Sequence, residues 1–463
     1  MKLPRKARNI GLALAAVALA LVIARAAMRS AARMTPPKVE LQRSPVSVRG
    51  GERSVGRSRV TSVGKLRVAE LRGSPAQIGF DHASLLRDDM VQVERAMYAD
   101  FEQRLPSGVV RSLLLDFAGF RYRHLPLGYA DARRRELAGQ AQGFDEDPFE
   151  GIFPTYQRLV YLNSVYDIAL SFEHSPIVGC TTFFIDARAR GGGLLLARNF
   201  DFDVHSVFDD YKVVFFVHEE GAVPFVSVSW PGLVGVVSGV NELGVAVVAH
   251  GARAGPTKTR GEPVVHSLRR VLSHAKSARQ AVQLLSQGQA MVSHMVAVAD
   301  QAGDAFVVER LVDDTQHVRQ LKEYACVTNH LEGPAKADPK NQRVVQETSS
   351  VARRKRGDVL LHSQPKSAAD AVALLRDRKA ADGSALPLGD RRAIDGLLAA
   401  HGVVFDFSEH VLWVSEGPRL LGRFVAFELR SAFKRVEGSE HPVVIPADPL
   451  REDPAWKALK RQD

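Results

Sequence analysis

The sequence predicts an α+β protein in which two stacked sheets carry helices on their outer faces. Three observations lead there. Residues 68–177 mix apolar and polar positions at helical spacing. After Cys180 the character changes to short β-branched and apolar runs punctuated by Gly, Pro and Asn, the pattern of consecutive antiparallel strands. The order strands, helices, strands, helices, strands then fits sheets stacked face to face with helices outside. A chain of 463 residues with 45% hydrophobic content is long enough to bury one large core or two modest ones.

The first segment, residues 1–33, reads as a signal peptide or signal anchor. Lys2, Arg5, Lys6 and Arg8 form a positive start, and Ile10 to Ala24 is an unbroken apolar run. Its length suits a secretory apolar region better than the roughly 20 residues of a comfortable bilayer span. Cleavage after Ala26 satisfies the small-residue rule; alternatively Arg25 snorkels and residues 10–28 stay as an anchor with the basic N-terminus on the cytoplasmic side. Either way the body is expected to be exported, to a periplasm or another extracytoplasmic space. No cysteine lies near this segment, which excludes an acylated lipoprotein cysteine. Residues 34–65, rich in Pro, Ser, Gly and Arg, read as a flexible basic linker.

Residues 66–179 form the expected helical prosegment, with helices at Ser84–Phe101, Arg111–Phe117, Asp131–Gly143 and Pro154–Ser171. Residues 180–463 form the catalytic β chain. Its first strand runs from about Thr181 to Ala187, turns through Arg190-Gly191-Gly192-Gly193 and returns from Leu194 to Phe200. Further strands are expected at Val213–Val217, Phe225–Trp230, Leu233–Ser238 and Val245–Ala249. Pro263 opens a helix to His274, and Ser277 caps another toward Leu285. Strands return at His294–Ala299, Ala305–Glu309 and Tyr324–Thr328, helices end near Leu361 and Leu375, and a hairpin pairs Val403–Phe407 with Val411–Ser415.

The formal charge of +10 is unevenly spread. Residues 1–65 hold 14 Lys and Arg against two acids, so the rest of the chain is close to neutral at −2. Nucleic-acid binding by the body is therefore not expected.

The chemistry is concentrated around Cys180. This thiol follows Gly179 and precedes an apolar strand, and Arg198-Asn199-Phe200-Asp201 returns eighteen residues later. A thiol attacks as thiolate, and a neighbouring guanidinium lowers its usual pKa of about 8.5. Breakage of the Gly179-Cys180 bond would put an α-amine of pKa about 7.7–8.0 on the nucleophile's own residue, where it can serve as base. Asp201 can then hold the Cys180 ammonium and aim it at the sulfur. The competing reading is a small buried core cysteine.

GCTTF (179–183), LLLARNFDFD (194–203), SWPGLVGVVSGVNELGVAVV (229–248) and VTNH (327–330), in this order, resemble the N-terminal nucleophile hydrolases of the penicillin acyltransferase and bile-salt hydrolase type, with acid ceramidases as more distant relatives. Residues 71–79 resemble the start of that family's prosegment, and the likeness spans roughly residues 66–418. The resemblance implies a four-layer αββα sandwich and autoproteolysis between Gly179 and Cys180, after which α and β chains stay associated. It also implies that Asn329 supplies an oxyanion-hole amide and that Arg353, at a Ser-rich helix start, faces the active site. One departure is plain: where bile-salt hydrolases carry a second Asn, this chain reads Val248-Ala249-His250-Gly251. A backbone N–H at His250 or Gly251 would have to substitute, and bile-acid specificity is not implied. His250 reads as a surface or satisfied histidine, and Asn241 as a hairpin-turn residue outside the site.

The aromatic and acidic run Phe200, Phe202, Phe208, Asp209, Asp210, Tyr211 suits either an acyl pocket or plain strand-edge packing. The sequence has no G-x-S-x-G, H-E-x-x-H or Walker loop, and Ser62-Val63-Gly64-Lys65 lacks the companion motifs of S-x-x-K enzymes. No cofactor and no metal is expected. Cys326 reads as a buried strand residue rather than a disulfide partner of Cys180. The sequence thus points to an exported cysteine amidohydrolase or acyltransferase acting on a small N-acyl amide through a thioester. The alternatives are an esterase or thioesterase on lipid-like acyl substrates, and a non-catalytic acyl-binding envelope protein.

Overall fold

A computed structural model of the chain describes residues 5–171, 178–202 and 206–459. Lys2 and residue 203, both used above, lie outside the described residues.

Eleven strands form one sheet in the order β1-β2-β3-β4-β7-β8-β9-β10-β11-β12-β13. They are β1 (Ser47–Arg49), β2 (Glu52–Val55), β3 (Ser58–Val63), β4 (Leu66–Gly73), β7 (Val213–Glu219), β8 (Phe225–Ser229), β9 (Ser238–Asn241), β10 (Val245–Gly251), β11 (His294–Asp300), β12 (Ala305–Arg310) and β13 (Gln316–Gln320). Seven strands form the second sheet, in the order β14-β5-β6-β15-β16-β17-β18. These are β14 (Tyr324–Val327), β5 (Val178–Asp186), β6 (Leu194–Phe202), β15 (Ala399–Asp406), β16 (Val411–Ser415), β17 (Phe424–Glu428) and β18 (Val444–Ile445). The helices used below are α1 (Arg5–Ala31), α2 (Pro75–Arg104), α3 (Gly108–Arg121), α4 (Asp131–Gln142), α5 (Thr155–Leu162), α6 (Val165–Leu170), α7 (Val207–Asp210), α8 (Val264–His274), α9 (Ala278–Leu285), α10 (Pro339–Glu347), α11 (Ser350–Leu361) and α12 (Ala368–Leu375).

The layers follow from alternation along each strand, since successive side chains point to opposite faces. Val214, Phe216, Ala246 and Val248 of the large sheet meet Phe184, Leu196, Val403 and Phe405 of the small one in a core between the sheets. Their sequence neighbours Val213, Phe215, Val245 and Val247 face α2, α4, α8 and α9 instead. On the other side, Phe183, Ile185, Leu195 and Val404 pack under α11 and α12. Helices, sheet, sheet, helices is the predicted α+β sandwich.

Several expectations are corrected. The linker over residues 34–65 is not unstructured throughout: β1 to β3 continue the large sheet from β4, with Arg59 opposite Glu70 and the buried pair joined by an ion pair. The helical prosegment likewise includes β4, which runs parallel to β7 from Arg67↔Val213 to Gly73↔Glu219. The helix expected over Pro154–Ser171 breaks at Asn163, whose side chain donates to Gly232 O at 3.0 Å and accepts from Val234 N at 2.9 Å. For the same reason Leu233–Ser238 is not a strand. Its backbone groups are taken by Asn163, by Val265 O and by Arg198, so pairing begins only at Ser238.

The N-terminal α1 contains a 20-residue stretch, Leu12–Ala31, with mean hydropathy 2.0 and none of it buried against the protein. By length and composition it is able to cross a membrane, and a signal sequence has the same character.

Candidate active site

Strands β5 and β6 pair antiparallel with Gly179↔Asp201, Cys180↔Phe200 and Thr182↔Arg198. The pleat therefore puts Cys180, Thr182, Arg198 and Phe200 on one face and Gly179, Thr181, Asn199 and Asp201 on the other. Arg198 reaches the thiol along the diagonal, a contact open to long side chains: its Nη2 donates to Cys180 Sγ at 3.1 Å. The guanidinium is held by Val237 O at 2.7 Å, Ala249 O at 2.7 Å and the Ser238 hydroxyl, and it lies over the Phe200 ring at 4.5 Å. It is fully buried, and among the described residues no carboxylate forms an ion pair with it. Burial pushes the Cys180 thiol above its ordinary pKa, Arg198 pulls against that, and Asp201 adds to the rise.

The backbone of Cys180 is clamped from the other side. Its N–H donates to Asn329 Oδ1 at 2.8 Å. Asn329 stands two residues beyond the Val327↔Thr182 pair, where β14 leaves the sheet, so its side chain takes the place of the next ladder partner. Arg353 Nη2 donates to the same Oδ1 at 2.9 Å, while its Nη1 donates to Cys180 O at 2.6 Å and Thr181 Oγ1 at 2.8 Å. Arg353 can come this close because α11 lies directly on β14: a Cβ on Gly357, one turn further along, would collide with Cys326. The arginine in the basic run Arg353-Arg354-Lys355-Arg356 is therefore a buried group and not a solvated face. Its neighbours pair elsewhere, Arg354 with Glu332 and Asp358, and Arg356 with Asp377.

Two expectations about roles meet a different geometry in the continuous chain. The Cys180 nitrogen points toward Asn329, not toward Asp201, because Asp201 sits across from Gly179 on the neighbouring strand. Asp201 Oδ1 is buried with no hydrogen-bond partner among the described residues, and burial pushes this carboxyl up to about 7 against the pull of Arg353. Asn329 uses its oxygen on Cys180, and its Nδ2 donates to Gly251 O at 3.1 Å, so one of the two N–H donors of the amide expected to face an oxyanion is taken. A further difference concerns access. Cys180 has no exposed surface, whereas attack on a substrate needs a route to the sulfur.

Two cavities flank this residue. An apolar one on the thiol's face is lined by Tyr166, Phe200, Phe202, Phe208 and Trp230 with Met97 of α2. A second cleft on the opposite side, of mixed polar and apolar lining, is bounded by Gly179, Asp201, Asn329 and Arg353 with Ala252 and Glu347. The aromatic run from Phe200 to Phe208 thus lines a cavity, whereas Asp209 leaves it to bind Lys212 and the Arg419 N–H.

Sequence reasoning missed the residues that hold Arg198. Ser238 bridges it to His401 at 2.9 Å, and His401 stacks on Phe200 with ring centroids 5.3 Å apart. Burial pushes His401 well below its ordinary pKa, so it serves as a neutral partner. No local pattern marks these positions, which come from strands remote in sequence. His250 is buried rather than at the surface, its Nε2 bonded to Thr182 Oγ1 at 2.8 Å and its Nδ1 without a hydrogen-bond partner among the described residues. Asn241 is structural, donating to Leu272 O and Ala275 O. Cys180 and Cys326 are both free and buried. Among the described residues no group of three or more His, Cys, Asp or Glu is placed to hold a metal.

A family model described as acyl-coenzyme A:6-aminopenicillanic acid acyl-transferase matches residues 188–416. Over that stretch, just under half of its length, the chain is similar to the penicillin acyltransferase family. The match includes Arg198, Asp201, Asn329 and Arg353, and begins after Cys180. A curated relative from Archaeoglobus fulgidus, an uncharacterized protein, is 24% identical over 254 residues, which is 50% of this chain. The chain spans only 41% of that relative's length. Among solved structures, the Caenorhabditis elegans ortholog of N-acylethanolamine-hydrolyzing acid amidase is similar at 16% identity and TM-score 0.34, over 49% of this chain and 93% of that one. Penicillin V acylase from Agrobacterium tumefaciens is similar at 15% identity and TM-score 0.36, over 57% and 90%. A conjugated bile acid hydrolase from Clostridium perfringens is similar at 11% identity and TM-score 0.33, over 57% and 95%.

Proposed function

We propose that this chain is the precursor of a cysteine N-terminal nucleophile hydrolase that acts on the C–N amide bond of an N-acyl substrate. One observation carries the reading: a single residue following a glycine has its sulfur on Arg198 at 3.1 Å, its nitrogen on Asn329 at 2.8 Å and its carbonyl on Arg353 at 2.6 Å. Any buried strand residue needs partners for its N–H and C=O, but a core cysteine needs no guanidinium on its sulfur. In the proposed maturation the Cys180 thiol adds to the Gly179 carbonyl, the C–N bond breaks as its nitrogen takes a proton, and water hydrolyses the resulting thioester. The sealed sulfur is then the resting state of an uncut chain, and departure of the upstream end from Gly179 opens it.

In the mature site the Cys180 α-amine takes the thiol proton and Arg198 favours the thiolate. The thiolate adds to the substrate carbonyl. Asn329, released from the former peptide N–H, turns its amide toward the oxyanion together with a backbone N–H. The leaving amine takes the proton back, and water or a second amine resolves the thioester. The apolar aromatic cavity holds the acyl group, and the arginine-lined cleft holds the amine side.

Denaturing electrophoresis with N-terminal sequencing tests this. The wild-type chain is expected to give two fragments, the downstream one beginning Cys180-Thr181-Thr182, and Cys180→Ala one uncut band without amidase activity. An active Cys180→Ala protein refutes the mechanism. The complete burial of Cys180 favours, as a second reading, an acyl-binding protein that stays uncut, and a single full-length band from the wild type would select it.

A further inference from the structure

Helix α3 carries an apolar face that the fold leaves uncovered. Val109, Val110, Leu113, Leu114 and Phe117 recur at helical spacing along one side and are 46–72% exposed. Outside α1, they are five of the twelve large apolar side chains that are exposed among the described residues. Such a concentration on one helix is unusual for a soluble surface, where exposed apolar side chains are scattered singly.

The occupant is indicated by what α3 is tied to. Arg25 and Arg29, near the end of α1, donate to the two oxygens of the same α3 carboxylate, Asp116, at 2.5 Å each, and Arg25 also reaches Ser112. The only acidic residue of α3 is thereby turned inward, and no acid remains on the outward side. The helix it grips is the one able to span a bilayer, and the two arginines sit at its body-proximal end, the level at which a membrane-spanning helix meets the headgroups. An amphipathic helix held at that level lies in the interface plane with its apolar face in the acyl boundary.

We propose that α3 is an interfacial membrane helix that lays Val109, Val110, Leu113, Leu114 and Phe117 into the lipid beside α1. This is independent of the chemistry proposed for Cys180. It presses the protein against the bilayer on the side of α5, on which α3 packs through Gly119 against Tyr161 and Phe153.

The full-length chain reconstituted in phosphatidylcholine vesicles, with and without acyl chains brominated near the headgroup end, tests the idea through added tryptophans. Leu114→Trp is expected to show blue-shifted extra emission, relative to the wild type, that brominated lipid quenches by at least twofold. Val443→Trp, at an exposed position outside α3, is expected to stay red-shifted and unquenched. Leu114→Trp emission that matches Val443→Trp overturns the proposal. Blue-shifted emission that brominated lipid leaves unchanged also overturns it and places a second copy of the chain on this face. The readout does not depend on whether the chain splits at Cys180.

Discussion

At the scale of single residues, Arg198 is the most informative. A fully buried guanidinium surrounded by carbonyls, a hydroxyl, a thiol and the Phe200 ring, with no carboxylate paired to it among the described residues, is an under-compensated charge, and desolvation of such a charge is costly. The group that relieves it is an anion at Sγ. Arg198→Met is accordingly expected to raise the thiol's pKa and to lower kcat/KM roughly 10²–10³-fold, the loss typical of one electrostatic stabiliser. The pH profile of iodoacetamide labelling of the matured enzyme measures the first effect and amidase kinetics the second. Unchanged labelling would show that Arg198 only fills space. Asp201, pushed up to about 7 by burial, belongs to the same scale. It carries its proton below pH 7 and loses it above, so the splitting rate of the wild type should change through a midpoint near 7. Asp201→Asn should flatten that step, as followed by timed gels across pH.

At the scale of elements, the start of α8 offers a sharper pH test. Asp167 of α6 accepts the Val264 N–H on both oxygens, at 3.2 and 3.1 Å, and burial pushes it up to about 8 despite that bond. The folded carboxyl holds its proton well above the unfolded pKa of about 3.9. The folded state therefore binds more protons than the unfolded one between about pH 4 and pH 8, and this group's contribution to stability is lost as pH rises through that window. Asp167→Asn, which mimics the protonated form, should lose less melting temperature than the wild type between pH 5 and pH 8. Equal slopes in thermal melts would refute it. The elements themselves were largely legible: Ser277 caps a helix as expected, and the β5–β6 hairpin lies where the Gly-rich turn put it, although α2 begins at Pro75, ahead of the expected Ser84. The run Leu233–Ser238 was not legible as a non-strand. Its apolar pattern is that of a strand, but Asn163 and Arg198 from distant segments capture its backbone.

At the scale of the molecule, the large sheet is built from both sides of Gly179. Strands β1 to β4 precede the proposed cut and β7 to β13 follow it, joined by the parallel β4–β7 ladder of seven residue pairs in mid-sheet. The buried charges Arg133, Glu136, Glu219 and Arg269 tie α4 to the same region across the divide. Splitting one peptide bond removes none of this. The two fragments are expected to co-elute as one species of about the uncut mass in size-exclusion chromatography, and to separate only when denatured. Fragments that part under native conditions would contradict that expectation.

The sequence by itself determined the α+β class, the place of the first hairpin and the residue types gathered at one thiol. Periodicity, turn residues and the ordered motifs are local properties of the chain, so they can be read without a fold. Only the tertiary structure decided which face of β5 and β6 each group occupies, that Asn329 rather than Asp201 receives the Cys180 nitrogen, and that Ser238 and His401 brace Arg198. Those outcomes depend on where β14, β9 and β15 end beside the hairpin. A strand's pleat and a neighbour's last residue are fixed by packing between segments 40 to 163 residues apart, and no local pattern encodes them.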